Sequence, residues 1–549
     1  MNKKNVLFVS EASYLSTGYA TYSREVLNHL HKSGKYNVAE FSIYGSPSDP
    51  RRKTIPWKNY PNLPDPGNEE QNKAYNSDPI NAFGKWRFER VCLDFKPDYV
   101  CDIRDWWMSS FVQNSPYRKY FKWLWMPTVD GAPQNEEWID SFSDADAVLT
   151  YSDWGIDVLK SQSYDINVKQ SAPPAASEEF FPVENKSAHK ESVGIDPSKK
   201  IIGTVMRNQR RKLFPDLFEA FSKYLKKTGC DKTYLYCHTS YPDNGWSIPK
   251  LLHKNEISSR VVFTYICEAC GNVGFHKFSD SIRPCEKCGK LSSKMPSVGL
   301  GVDRKTLSSI YNLFDIYVQP ASCEGFGVPI VEAAACGVPI VATDYSAMES
   351  EVRKLKGYPI SLKTKYLEME TGCYRAVPDQ EHMVEIFEDL LSKPEPMRLA
   401  IGAKTRKAYE ENYNWKVTSE IWEKLIDEQD FSSSWDIPIS LGNPNIEVKK
   451  ENFNTNKELI DFLVTSMLNE PKLLNTYPMN KVLRDLNFGS FRPNPGGYFY
   501  GEMSIFNRSN PTPFSSDSVI SGFRKKTEEK NFWEQARVGN VNFPKENWI

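Results

Sequence analysis

Short apolar runs alternate with amphipathic segments along the first part of the chain. The apolar run at 5–9 is followed by a polar loop, after which Ala20, Val26, Leu27 and Leu30 recur at helical spacing. The other apolar runs of this region lie at 36–44, 99–103, 122–126 and 147–151. Strands that alternate with helices predict a parallel sheet covered on both faces. The Pro- and Asn-rich segment 47–79 is predicted to be a long surface loop.

The alternation starts again after a proline-containing stretch at 173–182. Apolar runs at 200–205 and 233–237 enclose a helical pattern at 215–226. The last predicted elements of this second unit are a strand at 316–319, a helix at 328–335 and a strand at 338–343. The pattern therefore predicts a second α/β unit of the same kind as the first.

We expect two doubly wound, Rossmann-like domains with two additions. The N-terminal domain is predicted at 1–182 and the C-terminal domain at 183–429. Residues 261–300 interrupt the second domain as an insertion that holds paired cysteines. Residues 430–549 are rich in Asn, Pro, Phe and Ser, and they are predicted to form a C-terminal appendage of unknown role.

The composition excludes several classes of protein. The chain has 549 residues, of which 40% are hydrophobic and 25% charged, and its 69 basic and 70 acidic residues nearly cancel. No global field would therefore draw it onto nucleic acid or an anionic membrane. No apolar stretch approaches the ~18 residues that span a bilayer, so neither a membrane span nor a secretory signal is expected. Eleven cysteines are too sparse for a disulfide scaffold, which favours a reducing, cytoplasmic compartment.

The segment 320–344 carries the densest chemical signal. Its first strand ends in a turn that contains Glu324, Gly325 and Gly327 and that opens a helix bearing Glu332. Free backbone N–H groups and the positive end of a helix dipole can face an anionic or hydroxyl-rich ligand at such a turn. The carboxylates can accept bonds from sugar or ribose hydroxyls. An ordinary strand, turn and helix with solvated glutamates explains the same residues equally well.

The insertion carries two CxxC pairs separated by 14 residues, with a glycine directly after each second cysteine. The four cysteines are Cys267, Cys270, Cys285 and Cys288. Four thiolates at this spacing are typical of a zinc ribbon, and four unlinked thiols are the alternative. A closed four-cysteine site has no open coordination position, so the zinc is expected to stabilise the fold and not to catalyse.

Several segments resemble one family. The segment from Glu324 to Glu332 resembles the E-x7-E signature of retaining GT-B glycosyltransferases, particularly the large family 4. The segment 207–212 resembles that family's Arg and Lys pair after the first strand of the second domain. Residues 145–152 and 413–415 resemble the family's last strand of the first domain and its C-terminal segment that crosses back. The resemblance covers residues 4–428, and it implies a GT-B fold with two Rossmann-like domains facing a cleft.

The resemblance also implies which residues hold the diphosphate of a nucleotide sugar. Arg207 and Lys212 would neutralise the negative charge that grows as the phosphate leaves. The alternative is a solvated basic cluster formed by Arg210, Arg211 and Lys212. Gly18, in the first loop, would let the backbone approach the diphosphate from the opposite domain, although an ordinary loop turn also explains this glycine.

The donor sugar and its ribose would be bound at the glycine-punctuated turn. By the same resemblance, Glu324 and the backbone of Gly325, Phe326 and Gly327 would contact the sugar, and Glu332 would contact the ribose hydroxyls. Both roles suit ionised acceptors.

Asp130 departs from the family pattern. It lies at the carboxyl end of a predicted strand, where family members usually carry a histidine near the reacting sugar. An aspartate can accept a hydrogen bond from a hydroxyl but cannot imitate a neutral imidazole donor. An Asp-Gly turn is the alternative. If the family mechanism holds, the anomeric configuration is retained, and neither a protein nucleophile nor a catalytic metal is required.

These observations predict a retaining hexosyl- or pentosyltransferase that uses a nucleotide-diphosphate sugar. The acceptor is unidentified, and the near-zero net charge favours a glycan or a protein over a modified nucleic-acid base. The insertion and the appendage either recognise this acceptor or brace the fold. The rival hypothesis is a noncatalytic carbohydrate- or nucleic-acid-binding protein on the same fold.

Overall fold

The computed structural model describes residues 3–15, 17–115, 117–297 and 299–429, together with residues 431 and 435. Apart from those last two residues, the predicted appendage at 430–549 lies outside the described residues. Within the described part of the chain, no helix is long and apolar enough to cross a lipid bilayer.

The first unit is built on a seven-stranded, entirely parallel sheet with the strand order β3-β2-β1-β4-β5-β6-β7. Its strands are β1 (Lys4–Glu11), β2 (Tyr36–Ile43), β3 (Lys58–Pro61), β4 (Tyr99–Asp102), β5 (Lys122–Trp125), β6 (Ala147–Thr150) and β7 (Val168–Ser171). Strands β4 and β6 are buried along their whole length, and β1 is buried from Val6 to Ser10, because helices cover both faces of the sheet. The strand order reverses between β1 and β4, which makes their carboxyl ends the place where such sheets bind ligands.

The prediction of a long surface loop at 47–79 is wrong, because this segment contains the helix α2 (Glu69–Asn76) and a strand of the sheet. Residues 58–61 form the edge strand β3, which pairs in parallel with β2 from Ala39 to Ser42. Only Tyr60 and Pro61 of this strand are buried, since an edge strand is covered on fewer sides. A four-residue strand with so short an apolar run gives no hydrophobic pattern to detect.

Among its described residues, the first unit has six α-helices. They are α1 (Gly18–Ser33), α2 (Glu69–Asn76), α3 (Lys85–Phe95), α4 (Trp106–Gln113), α5 (Glu136–Asp144) and α6 (Asp153–Gln162). Asn and Ser side chains cap the amino ends of α5 and α6 by accepting backbone N–H bonds, as expected where strands pass directly into helices.

The second unit has a larger sheet whose central six strands are parallel, in the order β10-β9-β8-β14-β15-β16. The strands of this unit are β8 (Lys200–Val205), β9 (Thr233–His238), β10 (Val261–Cys267), β11 (Val273–His276), β12 (Arg283–Pro284), β13 (Leu291–Lys294), β14 (Ile316–Gln319), β15 (Ile340–Thr343), β16 (Tyr358–Ile360), β17 (Leu362–Leu367) and β18 (Tyr374–Pro378). Strands β11 and β13 pair antiparallel with β10, so the cysteine-bearing insertion continues this sheet at its edge. Strands β17 and β18 form a separate hairpin.

The remaining helices are α7 (Lys186–Ser192), α8 (Phe214–Thr228), α9 (Ile248–Lys254), α10 (Arg304–Tyr311), α11 (Val328–Ala335), α12 (Ala347–Lys354), α13 (Gln380–Ser392), α14 (Glu395–Asn412) and α15 (Trp415–Asp427). Helix α15 packs on the first unit, where the Trp422 indole N–H donates to the Tyr22 hydroxyl at 2.9 Å. The Trp422 ring also lies 5.4 Å from that of Phe8 in β1. The chain thus crosses back to its first unit.

Candidate functional site

The turn after β14 contains two glycines, and the structure requires a glycine at each position for a different reason. Gly327 has a φ of +123°, a conformation that residues with a side chain rarely adopt. Gly325 lies against the first unit, because a Cβ added to it would stand 2.2 Å from Thr128 Cγ2. The two units therefore touch at the glycine turn itself. Phe326, between the two glycines, is 7% exposed and packs against the Tyr413 ring.

Glu324 is the centre of a buried charged cluster at this turn. Its carboxylate accepts bonds from Arg211 at 2.6 Å and from the Gln319 amide at 2.9 Å, and it forms an ion pair with Lys212. Burial opposes ionisation of Glu324, but Arg211 and Lys212 outweigh it and hold the pKa of the carboxyl below its ordinary value. The structure thus brings together two predicted site residues, Glu324 and Lys212, from the ends of β14 and β8.

Lys212 is 7% exposed. Burial lowers the pKa of its ammonium group, although the attraction of Glu324 opposes that change. The strand order of the second sheet reverses between β8 and β14, so this lysine lies at the ligand-binding edge of the sheet. Because Lys212 is buried, the alternative of a solvated basic cluster does not describe it. A buried cation at such an edge suits a diphosphate.

Arg211 was not among the predicted site residues. The sequence pattern grouped it with a basic run of three residues, and such runs are usually solvated. In the structure its guanidinium reaches both the carboxylate of Glu324 and the carbonyl oxygen of Cys323, at 3.2 Å. Burial alone would weaken its charge, but the Coulombic attraction of Glu324 is larger and raises the pKa of Arg211.

Arg207 lies apart from this cluster. Its side chain is 51% exposed, and it pairs with Asp243 at 2.9 Å. Asp243 belongs to the loop after β9, which Asn208 holds through two bonds of 2.8 and 2.9 Å to the backbone of Trp246. Arg207 is therefore on the same sheet edge as Lys212 but is not in contact with Glu324.

Glu332 lies on α11, two turns beyond Glu324. It is partly buried, and the hydroxyl of Tyr311 donates to its carboxylate at 2.8 Å. Burial raises the pKa of this carboxyl to about 7. Its charge therefore changes close to neutral pH, unlike that of Glu324.

The facing edge of the first sheet carries carboxylates at the ends of three strands. Asp130 follows β5, and its carboxylate pairs with Arg375 of the second unit at 2.9 Å. Asp105, after β4, accepts a bond of 2.8 Å from the Tyr19 hydroxyl, and burial raises its pKa. Glu11 ends β1, and burial raises its pKa as well. Asp105 was not predicted, although its position at the carboxyl end of a strand was a signal.

Gly18 is the first residue of α1 at the same edge. It is exposed, and an added Cβ would meet nothing within 4 Å. The local backbone therefore has no steric need for a glycine.

The four cysteines of the insertion form one cluster. Their sulfur atoms all lie within 4.8 Å of one another. Cys267 and Cys288 are 3.6 Å apart, and Cys270 and Cys285 are 3.7 Å apart. A tetrahedral ion with Zn–S bonds of about 2.3 Å requires sulfur separations of about 3.8 Å, so the residues present fit zinc.

The two cysteine turns have the same geometry. Gly271 and Gly289 have φ values of +71° and +70°. Their backbone N–H groups donate to the carbonyl oxygens of Cys267 and Cys285, each at 2.8 Å. This explains the glycine after each CxxC pair. The insertion also packs on the loop that holds Asp243, because the rings of Phe278 and Tyr241 lie 5.3 Å apart.

A family comparison matches the part of the chain that contains the glycine turn. Residues 293–408 match the family model described as "Glycosyl transferases group 1".

Two curated proteins are similar over limited stretches. A lipopolysaccharide core biosynthesis mannosyltransferase, LpsB of Rhizobium meliloti (strain 1021), is 27% identical over 182 residues, which are 32% of this chain and 39% of that protein. A D-inositol 3-phosphate glycosyltransferase of Rhodococcus opacus (strain B4) is 28% identical over 114 residues, 21% of this chain and 22% of that protein. The chain thus spans well under half of the length of these relatives.

Solved structures resemble the whole described fold. Sucrose-phosphate synthase from Thermosynechococcus elongatus has a TM-score of 0.55 at 16% identity, over 78% of this chain and 99% of that one. HepE from Anabaena in complex with UDP and glucose has a TM-score of 0.54 at 10% identity, over 78% of this chain and 100% of that one. These likenesses confirm the predicted GT-B fold.

Proposed function

We propose that this protein is a retaining glycosyltransferase that moves a sugar from a nucleoside-diphosphate donor to an acceptor hydroxyl in the cleft between the two sheets. The observation that carries the proposal is the buried Lys212–Glu324 pair, joined by the partly exposed Arg211, at the ligand-binding edge of the second sheet. The turn that carries Glu324 also faces Asp130. The family match over 293–408 and the glycosyltransferases among the similar proteins support the proposal.

The donor is assigned to the second unit, proposed at 183–429, and the acceptor side to the first unit, proposed at 1–182. Lys212 and Arg207 hold the diphosphate, with Gly18 at its other side, and Arg211 joins Lys212 in neutralising charge. Glu324 and the backbone of Gly325, Phe326 and Gly327 bind the sugar, and Glu332 binds the ribose hydroxyls. The HepE complex with UDP and glucose supports a nucleotide sugar as donor.

The reaction proceeds on one face of the sugar. The acceptor oxygen bonds to the anomeric carbon as the bond from that carbon to the phosphate oxygen breaks, and the acceptor proton passes to the leaving diphosphate. Lys212 and Arg211 stabilise the growing charge of the diphosphate. The configuration is retained without a protein nucleophile or a catalytic metal, and the transferred group is a hexose or a pentose.

The acceptor is proposed to be a glycan or a protein. The net charge of −1 gives no basic footprint of the kind that nucleic-acid binding normally leaves. A cytoplasmic location is proposed because eleven cysteines in 549 residues are too sparse for a disulfide scaffold.

The four-cysteine cluster is proposed to hold one zinc ion that stabilises the insertion. With four thiolates the ion has no free position, so its contribution is to folding. Residues 268–294, which follow β10, contain only five large aliphatic or aromatic apolar residues, Val273, Phe275, Phe278, Ile282 and Leu291. A metal compensates for so small a core.

A panel of nucleotide sugars tests the proposal. Wild-type protein is incubated with UDP-, GDP-, ADP- and TDP-linked hexoses and pentoses, and thermal shift and release of the nucleoside diphosphate are measured. We expect one donor class both to raise the melting temperature and to be hydrolysed slowly. Binding without any turnover, with or without candidate acceptors, would support the noncatalytic binding protein instead.

A further inference from the structure

The β17–β18 hairpin of the second unit reaches across the cleft and contacts the segment that carries Asp130. The backbone N–H of Tyr374 donates to the carbonyl of Ala132 at 2.9 Å. The Tyr345 hydroxyl lies between the hairpin and the segment after β5. It donates to the Tyr374 carbonyl at 2.6 Å and accepts from the Ala132 N–H at 3.3 Å. The segment after β5 is therefore fixed by residues of the other unit.

The packing at this contact is tight. A Cβ added to Gly131 would lie 2.6 Å from Cys373 Cβ and 2.9 Å from Arg375 Nη1. The glycine next to Asp130 thus lets the hairpin approach the backbone closely, and this gives the Asp-Gly pair a structural reason other than a turn.

Arg375 is the polar centre of the contact and is 5% exposed. One guanidinium nitrogen lies 2.9 Å from Asp130 Oδ1 and 3.1 Å from the Asp130 carbonyl oxygen. The other side of the guanidinium pairs with Glu368 at 2.7 Å. A planar guanidinium held at both edges fixes the direction of the carboxylate it binds, which a flexible lysine would not do.

The Asp130 carboxylate remains accessible from the cleft. Its side chain is 27% exposed, and its second oxygen lies 3.6 Å from Cys323 Sγ, one residue before Glu324. The carboxylate therefore stands between the hairpin and the glycine turn, beside the proposed sugar site.

We infer that Arg375 is a positioning residue for the proposed sugar transfer: from the second unit, it holds the Asp130 carboxylate of the first unit in the orientation that the reacting sugar or the acceptor hydroxyl meets. This inference rests on the proposed function. Orientation matters here because a displacement of about 1 Å at a reacting group can lower a rate about 10²-fold.

A second ion pair between the units provides a matched control. Lys354 of α12 pairs with Asp153 of α6 at 2.6 Å, and both side chains are partly exposed. Removing it also weakens contact between the units but leaves Asp130 untouched. Lys354→Met therefore separates general loosening of the two units from loss of the Asp130 orientation.

The test is steady-state hydrolysis of the donor that wild-type protein accepts, measured for Arg375→Met, Asp130→Asn, the double variant and Lys354→Met, with circular dichroism as the folding check. We expect Arg375→Met to lower kcat about 30-fold, with the donor KM changed by less than about threefold. The double variant should be no slower than the slower single variant, because Arg375 acts through Asp130. Lys354→Met should stay within about twofold of wild type.

Two further variants apply if Arg375→Met fails to fold. Arg375→Lys keeps the charge and should retain more activity than any neutral residue, yet less than wild type. Glu368→Gln loosens Arg375 without touching Asp130, and we expect a fall in kcat of about fivefold.

Three results would overturn the inference while leaving the proposed function standing. The first is a wild-type kcat in folded Arg375→Met or, where that variant does not fold, in both Arg375→Lys and Glu368→Gln. The second is a loss of kcat in the double variant equal to the product of the two single losses, and the third is a loss of kcat in Lys354→Met as large as that in Arg375→Met. Absence of any donor turnover by the wild-type protein would overturn the proposed function and this inference together.

Discussion

The carboxylates at the two facing sheet edges are held in different ways. At the second sheet, Glu324 is bound by Arg211 and Lys212, which come from the same unit. At the first sheet, Asp130 takes its cation, Arg375, from the hairpin of the other unit, and Asp105 accepts a bond from a tyrosine. The second edge is organised by its own chain segments, whereas the first depends on contact between the units.

Because of this difference, we expect donor binding and orientation at Asp130 to respond differently to substitutions. Substitutions at the second edge should affect the donor and its departing diphosphate directly. Substitutions at the first edge should affect turnover through orientation and leave donor affinity nearly unchanged.

Lys212→Ala should have the largest effect. Loss of a buried cation that stabilises developing charge lowers kcat by about 10²- to 10³-fold, with a smaller change in donor KM. The measurement is donor hydrolysis, and Lys223→Ala is the control, since that lysine lies on the neighbouring α8 and pairs with the exposed carboxylates of Glu219 and Glu381. Wild-type kcat in Lys212→Ala would remove the basis for the donor assignment.

Loss of the metal should have the next largest effect, on stability. We expect one zinc per chain by elemental analysis, and a melting temperature lowered by roughly 10 °C in Cys285→Ser. Cys230→Ser is the control, because Cys230 is a partly buried thiol outside the cluster. Metal-free protein with wild-type stability would contradict the assignment.

Glu332 should make donor affinity depend on pH. Its pKa is raised to about 7 by burial, so the carboxylate that accepts ribose hydroxyls forms as the pH rises from 6 to 8. Nucleoside diphosphate affinity of the wild type should strengthen about fivefold over that range by calorimetric titration. Glu332→Gln should bind weakly with no such rise, and Glu381→Gln, at an exposed site, should follow the wild type.

The parts of this account that the sequence predicted are those encoded in short continuous segments. Strand β14, the glycine turn and α11 lie within one stretch, and the two cysteine pairs carry their own turns, so local patterns found both. Glu324 and Lys212 were paired only through a family resemblance, because they are 112 residues apart.

The features that the sequence did not reveal depend on contacts between distant segments. Arg375 is 245 residues from Asp130, and nothing in the local pattern of a two-stranded hairpin indicates that it meets the other unit. The sequence pattern grouped Arg211 with solvated basic residues, because its contacts are with Cys323 and Glu324, which lie more than a hundred residues later in the chain. Strand β3 is too short to produce a pattern.

The most direct test of the central claim is the anomeric configuration of the first product, followed by ¹H NMR while wild-type protein turns over its accepted donor. The account predicts that the anomeric proton of the released or transferred sugar has the configuration of the donor before any mutarotation. An inverted product would contradict the one-face mechanism at the Lys212–Glu324 edge, and no product from any nucleotide sugar would contradict glycosyl transfer itself.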